Sequence, residues 1–202
     1  MTGLLVLSDD LTKYDFGSDH PMAPGRVTNT ISLARQLGVL DRLRIVPPPE
    51  IDLALLQTVH TPDYIAAVQR GEPNQRYGLG TSDNPVFPGM HEIAAWVTMA
   101  SFEAARRVWI GDVQRACNIS GGLHHAMPST TSGFCVYNDV AVAIARQPSV
   151  VVFARALVTR RPCGPWRWSA GGPVTWTAVR GVGCARSCSA VPAPWGAGLS
   201  VT

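Results

Sequence analysis

The sequence predicts an α/β layered fold with a mainly parallel sheet, on three observations. Short apolar runs of strand length occur at Leu4–Leu7, Arg44–Val46 and Cys117–Ser120. Between them lie longer stretches with apolar residues every three or four positions, the spacing of one helix face. The connections are rich in Gly, Pro, Asp and Asn, and no internal repeat interrupts the alternation.

Taken in order, Leu4–Leu7 reads as a buried strand that Ser8-Asp9-Asp10 ends. Two prolines and a glycine in His20–Arg26 fix an irregular loop. Val27–Leu37 carries Ile31, Ala34 and Leu37 at helical spacing, and Gly38 supplies a stop. Arg44–Val46, before three prolines, is a second short strand, and Glu50–Val59 a helix with Ile51, Leu55 and Leu56 on one face. Thr61-Pro62-Asp63 combines a capping hydroxyl, a first-turn proline and an acid at the positive dipole end; the helix it starts runs to Arg70 and stops at Gly71.

Tyr77–Pro85 reads as a flexible loop of turn formers. Pro88-Gly89 opens the longest helix, to about Trp109, with Ile93, Trp96, Val97, Ala100, Ala104 and Val108 as its apolar stripe and both tryptophans in or half in the core. Cys117–Ser120 then leads straight into a glycine pair and two adjacent histidines, and Asn138-Asp139 cap a helix over Val140–Arg146.

Composition divides the chain in two. Residues 1–146 hold all 14 acidic residues against 11 Lys and Arg, whereas residues 147–202 hold six arginines and no Asp, Glu, Lys, His or Tyr. A segment without acidic caps or several common residue types departs from ordinary domain composition. We expect a partial domain over 1–146 and an irregular Arg/Pro/Gly/Trp-rich tail over 147–202, disordered or the product of a frameshift. Two tail runs, Val150–Phe153 and Val174–Val179, have strand character, and the sheet could accept the first as its next strand. A parallel sheet cut after its early strands is also expected to leave an open edge and exposed apolar faces.

The rest of the composition excludes several classes. No run nears the roughly 20 apolar residues that span a bilayer, and the amino terminus does not resemble a secretory signal, so a cytoplasmic setting is expected. Five cysteines without metal-knuckle spacing fit a reducing compartment. The tail's arginines would attract nucleic acid only non-specifically, so no specific nucleic-acid partner and no membrane is expected.

His124 and His125 sit where an α/β sheet places functional loops, after the carboxyl end of a strand. On an irregular loop both rings can face one cavity, where they could bind a metal or exchange a proton. The alternative is a solvent-facing pair, or one packed ring and one exposed. Cys135 reads as a small buried residue, His20 is given no chemistry, and His60 and His91 are assigned surface or capping roles.

The stretch GGLHHAMPSTTSGFCVYND (121–139) resembles the signature of the zinc-dependent histone deacetylase family, nearest to its bacterial acetoin-utilisation deacetylases. DHPMAPGR (19–26), VHTPDYIAAV (59–68) and YGLGTSDNPVFPGMHE (77–92) agree in the same order, so the resemblance covers residues 1–146. It implies the amino-terminal part of an arginase/deacetylase-type parallel sheet with helices on both faces, incomplete here. It also implies zinc-dependent hydrolysis of an acetyl-lysine amide, in a protein or a small acetylated amine, with release of acetate. By the same resemblance His125 accepts the proton of the attacking water and His124 gives electrostatic or acid assistance. Gly133 and Phe134 line the lysine channel, Asp83 grips the substrate backbone at the rim, and Arg26 lies beside the acetate exit.

In the family a strand ending in Asp-x-Asp-x-His-His-Gly-Asp, then a later aspartate and a Gly-Gly-Tyr stretch, supply the zinc ligands and the oxyanion tyrosine. The tail holds no residue of those ligand types or tyrosine. We therefore expect no metal ligand in this chain, no stably bound zinc, and no useful deacetylation. A non-catalytic acyl-lysine-binding protein or a non-functional remnant are the alternatives.

Overall fold

The computed structural model describes residues 3–146 and the backbone of two further strands, Val151–Arg155 and Thr175–Val179. Three parallel strands lie in the order β2-β1-β3: β1 is Gly3–Val6, β2 Leu43–Val46 and β3 Arg115–Asn118. Leu4 and Val6 point into the main core, and Leu5, on the opposite side of the pleat, is buried as well. Burial of both faces of β1 is what its unbroken apolar run requires.

Among the described residues five α-helices accompany the strands: α1 (Gly25–Gln36), α2 (Leu53–Leu56), α3 (Pro62–Arg70), α4 (Met90–Trp109) and α5 (Asp139–Ala145). The apolar stripe on α4 packs it against β1, β3, α3 and α5, with Val97, Ala100 and Val108 fully buried. Trp96 packs partly buried against the core and Trp109 is the more exposed of the two. In α3 the expected boundaries hold: proline occupies the first turn and Gly71 adopts the left-handed C-cap. Thr61 is its N-cap, yet its hydroxyl makes no capping bond; its backbone N–H instead donates to Pro128 O at 2.9 Å, tying α3 to the histidine loop.

Several expectations are corrected. The helix expected over Glu50–Val59 shortens to four residues, because Asp52 caps it by accepting from Leu55 N. In α1, Ile31 and Ala34 are only half-buried, and Leu37, just past its end, is 67% exposed. Tyr77–Pro85 is not a loose loop: Tyr77, Leu79 and Asn84 are buried, and Tyr77 O accepts from both the backbone and the hydroxyl of Thr131.

In the tail, Thr175–Val179 (β5) rather than the first run takes the place beside β3, running antiparallel to it. Val151–Arg155 (β4) pairs antiparallel with the far side of β5. A hairpin-like antiparallel pairing needs no crossover, whereas a parallel partner for β3 does. The outer ends of the expected runs, Val150 and Val174, lie outside the described residues.

Candidate active site

The loop leaving β3 is held from below by the start of α5. Asn118, the last residue of β3, is buried and donates through Nδ2 to Val97 O and to Ser101 Oγ, each at 3.0 Å. Its Oδ1 accepts from Ser120 N, which turns the chain into Gly121. Asp139 is 0% exposed. Its carboxylate accepts from Gly122 N at 2.9 Å, from Leu123 N at 2.7 Å, and from the Ser101 hydroxyl. Burial pushes its carboxyl pKa up, against the Ser101 hydroxyl and the backbone N–H groups of Gly122, Leu123 and Val140. Gly121 is required here by packing: a Cβ would stand 2.5 Å from Asp139 Oδ2 and 2.6 Å from Ser101 Oγ.

Asn138 does the complementary work. Its Oδ1 caps α5 through Ala141 N, and its Nδ2 donates to both His124 O and Ala126 O. Its own backbone N–H donates to His60 Nε2 at 2.9 Å. His60 is 1% exposed, with Tyr64 and Tyr137 rings 5.5 and 5.1 Å away, and burial pulls its pKa down to about 4. His91 is 6% exposed and bonded to the Tyr137 hydroxyl, and burial lowers its pKa too, opposed by Glu92. Of the surface or capping roles expected for these two histidines, surface exposure is thus overturned: both are interior, His60 accepting from the Asn138 N–H and His91 bonded to the Tyr137 hydroxyl.

With the loop so braced, the rings of His124 and His125 stack at 4.2 Å with a 36° tilt. His124 is half-buried and its Nδ1 lies 2.9 Å from Gly122 O. His125 is exposed, and its pKa is lowered first by desolvation and then by His124. A positive charge on His125 is thus disfavoured both by its loss of solvent and by the neighbouring ring.

From His125 a chain of contacts leads outward. Gly133 (φ +50) lies so near that a Cβ would meet the His125 ring at 3.0 Å. Phe134 follows at φ +69, a left-handed conformation unusual for a bulky side chain. Its N–H donates to Asn84 Oδ1 and its carbonyl accepts from the Tyr14 hydroxyl, so two side chains hold the strained residue in place. The Phe134 ring meets His20 edge-on at 4.6 Å, and His20 meets Phe16 at 4.7 Å. His20 Nδ1 accepts from Met22 N, which leaves Nε2–H to donate to Asp83 O at 3.3 Å. Beside these residues opens a cleft of about 350 Å³ lined by Phe16, Asp19, His20, Ser82 and Pro85.

The structure therefore brings five of the six expected site residues into one contact chain: His124, His125, Gly133, Phe134 and the backbone of Asp83. Arg26 stands apart, exposed in the first turn of α1 with its guanidinium on the Met22 sulfur. No hydrogen bond joins it to the histidine pair among the described residues. Sequence reasoning missed Asn84, His20 and Asp139, whose partners lie 50, 63 and about 17 residues away along the chain. Cys135 is buried as expected, and burial pushes its thiol up to about 12, which argues against a nucleophile.

A parallel sheet with helices, bearing a tandem-histidine loop at the carboxyl end of β3, matches a known class. The chain belongs to the histone deacetylase domain family, which matches residues 20–158 and so runs past the compositional boundary at 146. Its three parallel strands and helices are consistent with part of that fold. The chain is 40% identical over 148 residues to the acetoin utilization protein AcuC of Bacillus subtilis (strain 168), covering 70% of this chain and 38% of that protein. Over 147 residues it is 31% identical to AcuC of Staphylococcus xylosus, covering 69% of this chain and 38% of that protein. For AcuC of Staphylococcus aureus (strain MSSA476) the identity is 33% over 144 residues, covering 68% and 37%. The chain thus spans well under half the length of these relatives.

Proposed function

We propose that this chain carries the proton-handling part of a zinc-dependent deacetylase acting on acetyl-lysine amides, in a protein or a small acetylated amine. The observation that carries this reading is the stacked His124–His125 pair, braced by Asn138 and Asp139 at the end of β3. His125 is exposed with a lowered pKa, which keeps it in its accepting form near neutral pH and suits it to take the proton of an attacking water. His124 assists electrostatically or as an acid. Gly133 and Phe134 wall the lysine stem, Asp83 holds the substrate backbone, and Arg26 serves the acetate exit.

In the family, zinc would polarise the acetyl carbonyl and activate the water. The residues present do not fit such a site. Among the described residues no group of three or more His, Cys, Asp or Glu could hold a metal, and residues 147–202 contain no Asp, Glu or His. We propose that this chain by itself exchanges protons and binds but does not turn over. No helix among the described residues is long and apolar enough to cross a membrane. We read the setting as cytoplasmic, with no specific nucleic-acid or membrane partner.

The test is calorimetry and acetate release with an acetyl-lysine peptide and the purified 202-residue chain, with and without chelator. Binding without release is the expected result. Chelator-sensitive release would overturn the inactivity, and neither binding nor release would sink the assignment of the wall and rim.

A further inference from the structure

We propose that Asp139 is a positioning residue for His124, acting through the single peptide group that joins Gly122 to Leu123. This rests on reading the histidine pair as the proton-handling centre.

In a trans peptide the N–H and C=O point in opposite directions. Here both ends of one peptide are engaged. The Leu123 N–H donates to Asp139 Oδ1 at 2.7 Å, and the Gly122 C=O faces His124 Nδ1 at 2.9 Å. A carbonyl oxygen can only accept, so Nδ1 must carry the proton in this contact. When the ring is neutral, Nε2 is then its basic edge.

The peptide is therefore a link between a carboxylate and an imidazole. The carboxylate pulls on the N–H, which makes the carbonyl at the other end a stronger acceptor and holds the proton on Nδ1. Asp139 is placed for this alone among the acids. All the groups recorded on its oxygens are donors: Gly122 N, Leu123 N and the Ser101 hydroxyl, whose own oxygen accepts from Asn118 Nδ2. An acceptor-only carboxylate satisfies them all. Gly121 leaves the space that lets the carboxylate reach the underside of the loop. A direct carboxylate–imidazole bond commonly sets a catalytic histidine's tautomer; this loop does it one peptide removed.

Nitrogen-15 NMR of the isotope-labelled 202-residue chain reads the tautomer directly, above the imidazole titration range. Five histidines make the ring signals assignable. The wild-type chain is expected to show His124 as the Nδ1–H tautomer. Asp139→Asn, which offers one oxygen to two amides and no charge, is expected to shift His124 toward a mixture with Nε2–H, while Ser101→Ala leaves it unchanged. An Nε2–H tautomer in the wild type overturns the proposal. So does an unchanged tautomer in folded Asp139→Asn, or an equal shift in Ser101→Ala.

Should Asp139→Asn fail to fold, couplings across hydrogen bonds in the wild type decide the matter. They are expected from Leu123 N to the Asp139 carboxyl carbon and from His124 Nδ1 to the Gly122 carbonyl carbon. Absence of either overturns the link. These spectra need no substrate, so the positioning role and the deacetylase reading can fail separately.

Discussion

Lowering the pH should destabilise this protein through His60 before most carboxylates titrate. His60 Nε2 accepts the Asn138 N–H inside a shell of tyrosines, and burial drops its pKa from 6.5 to about 4. The unfolded chain therefore binds this proton first as pH falls. The stability contribution is fully present above pH 6.5 and is lost progressively down to about 4. At about 1.4 kcal/mol per pKa unit, that gap amounts to roughly 3 kcal/mol. Against a typical domain stability of about 5–15 kcal/mol this is a large share.

Protonation would also place an N–H against the Asn138 N–H, releasing the residue that grips His124 O and Ala126 O. His91 shifts in the same direction, and Asp139, whose pKa is raised, in the opposite one, losing its contribution as pH rises. Comparison with His60→Gln, which keeps an acceptor but does not titrate, removes both. Urea denaturation of the two chains across the acid range should show a difference that closes as pH falls. Parallel stability–pH curves, or a His60 ring midpoint near 6.5 by NMR, would refute the reasoning.

Two further outcomes follow from the outer part of the site. Gly133→Ala adds a Cβ at 3.0 Å from the His125 ring on a left-handed backbone, so it should cost about 1–2 kcal/mol in denaturation and move the His125 ring resonances. Asn84→Ala removes the acceptor of the Phe134 N–H; a loss of about 1–3 kcal/mol is expected, with amide exchange at Phe134 accelerating.

Much of the frame was legible in the sequence because its signals are local. The Thr61-Pro62-Asp63 start, the Gly71 stop, the α4 stripe and the Asn138 cap act within a turn or two, and each appears where expected. The histidine pair was legible by position, after a strand end. What was not legible depends on distant partners. Nothing near His60 in sequence reveals that its acceptor nitrogen serves an amide 78 residues later. Asp139 looks like a helix-capping acid, and only the fold shows its carboxylate turned under the glycines. Strand order in the tail escaped for the same reason: both runs have strand character, and pairing partners decide which one meets β3.

That pairing has a geometric outcome at the rim of the sheet. Because β5 runs against β3 and β4 runs against β5, β3 and β4 deliver their carboxyl ends to the same rim of the sheet, one strand apart. Strands sit about 4.8 Å from their neighbours, so the carboxyl end of β4 at Arg155 lies roughly 10 Å from the histidine-bearing end of β3 rather than at its side.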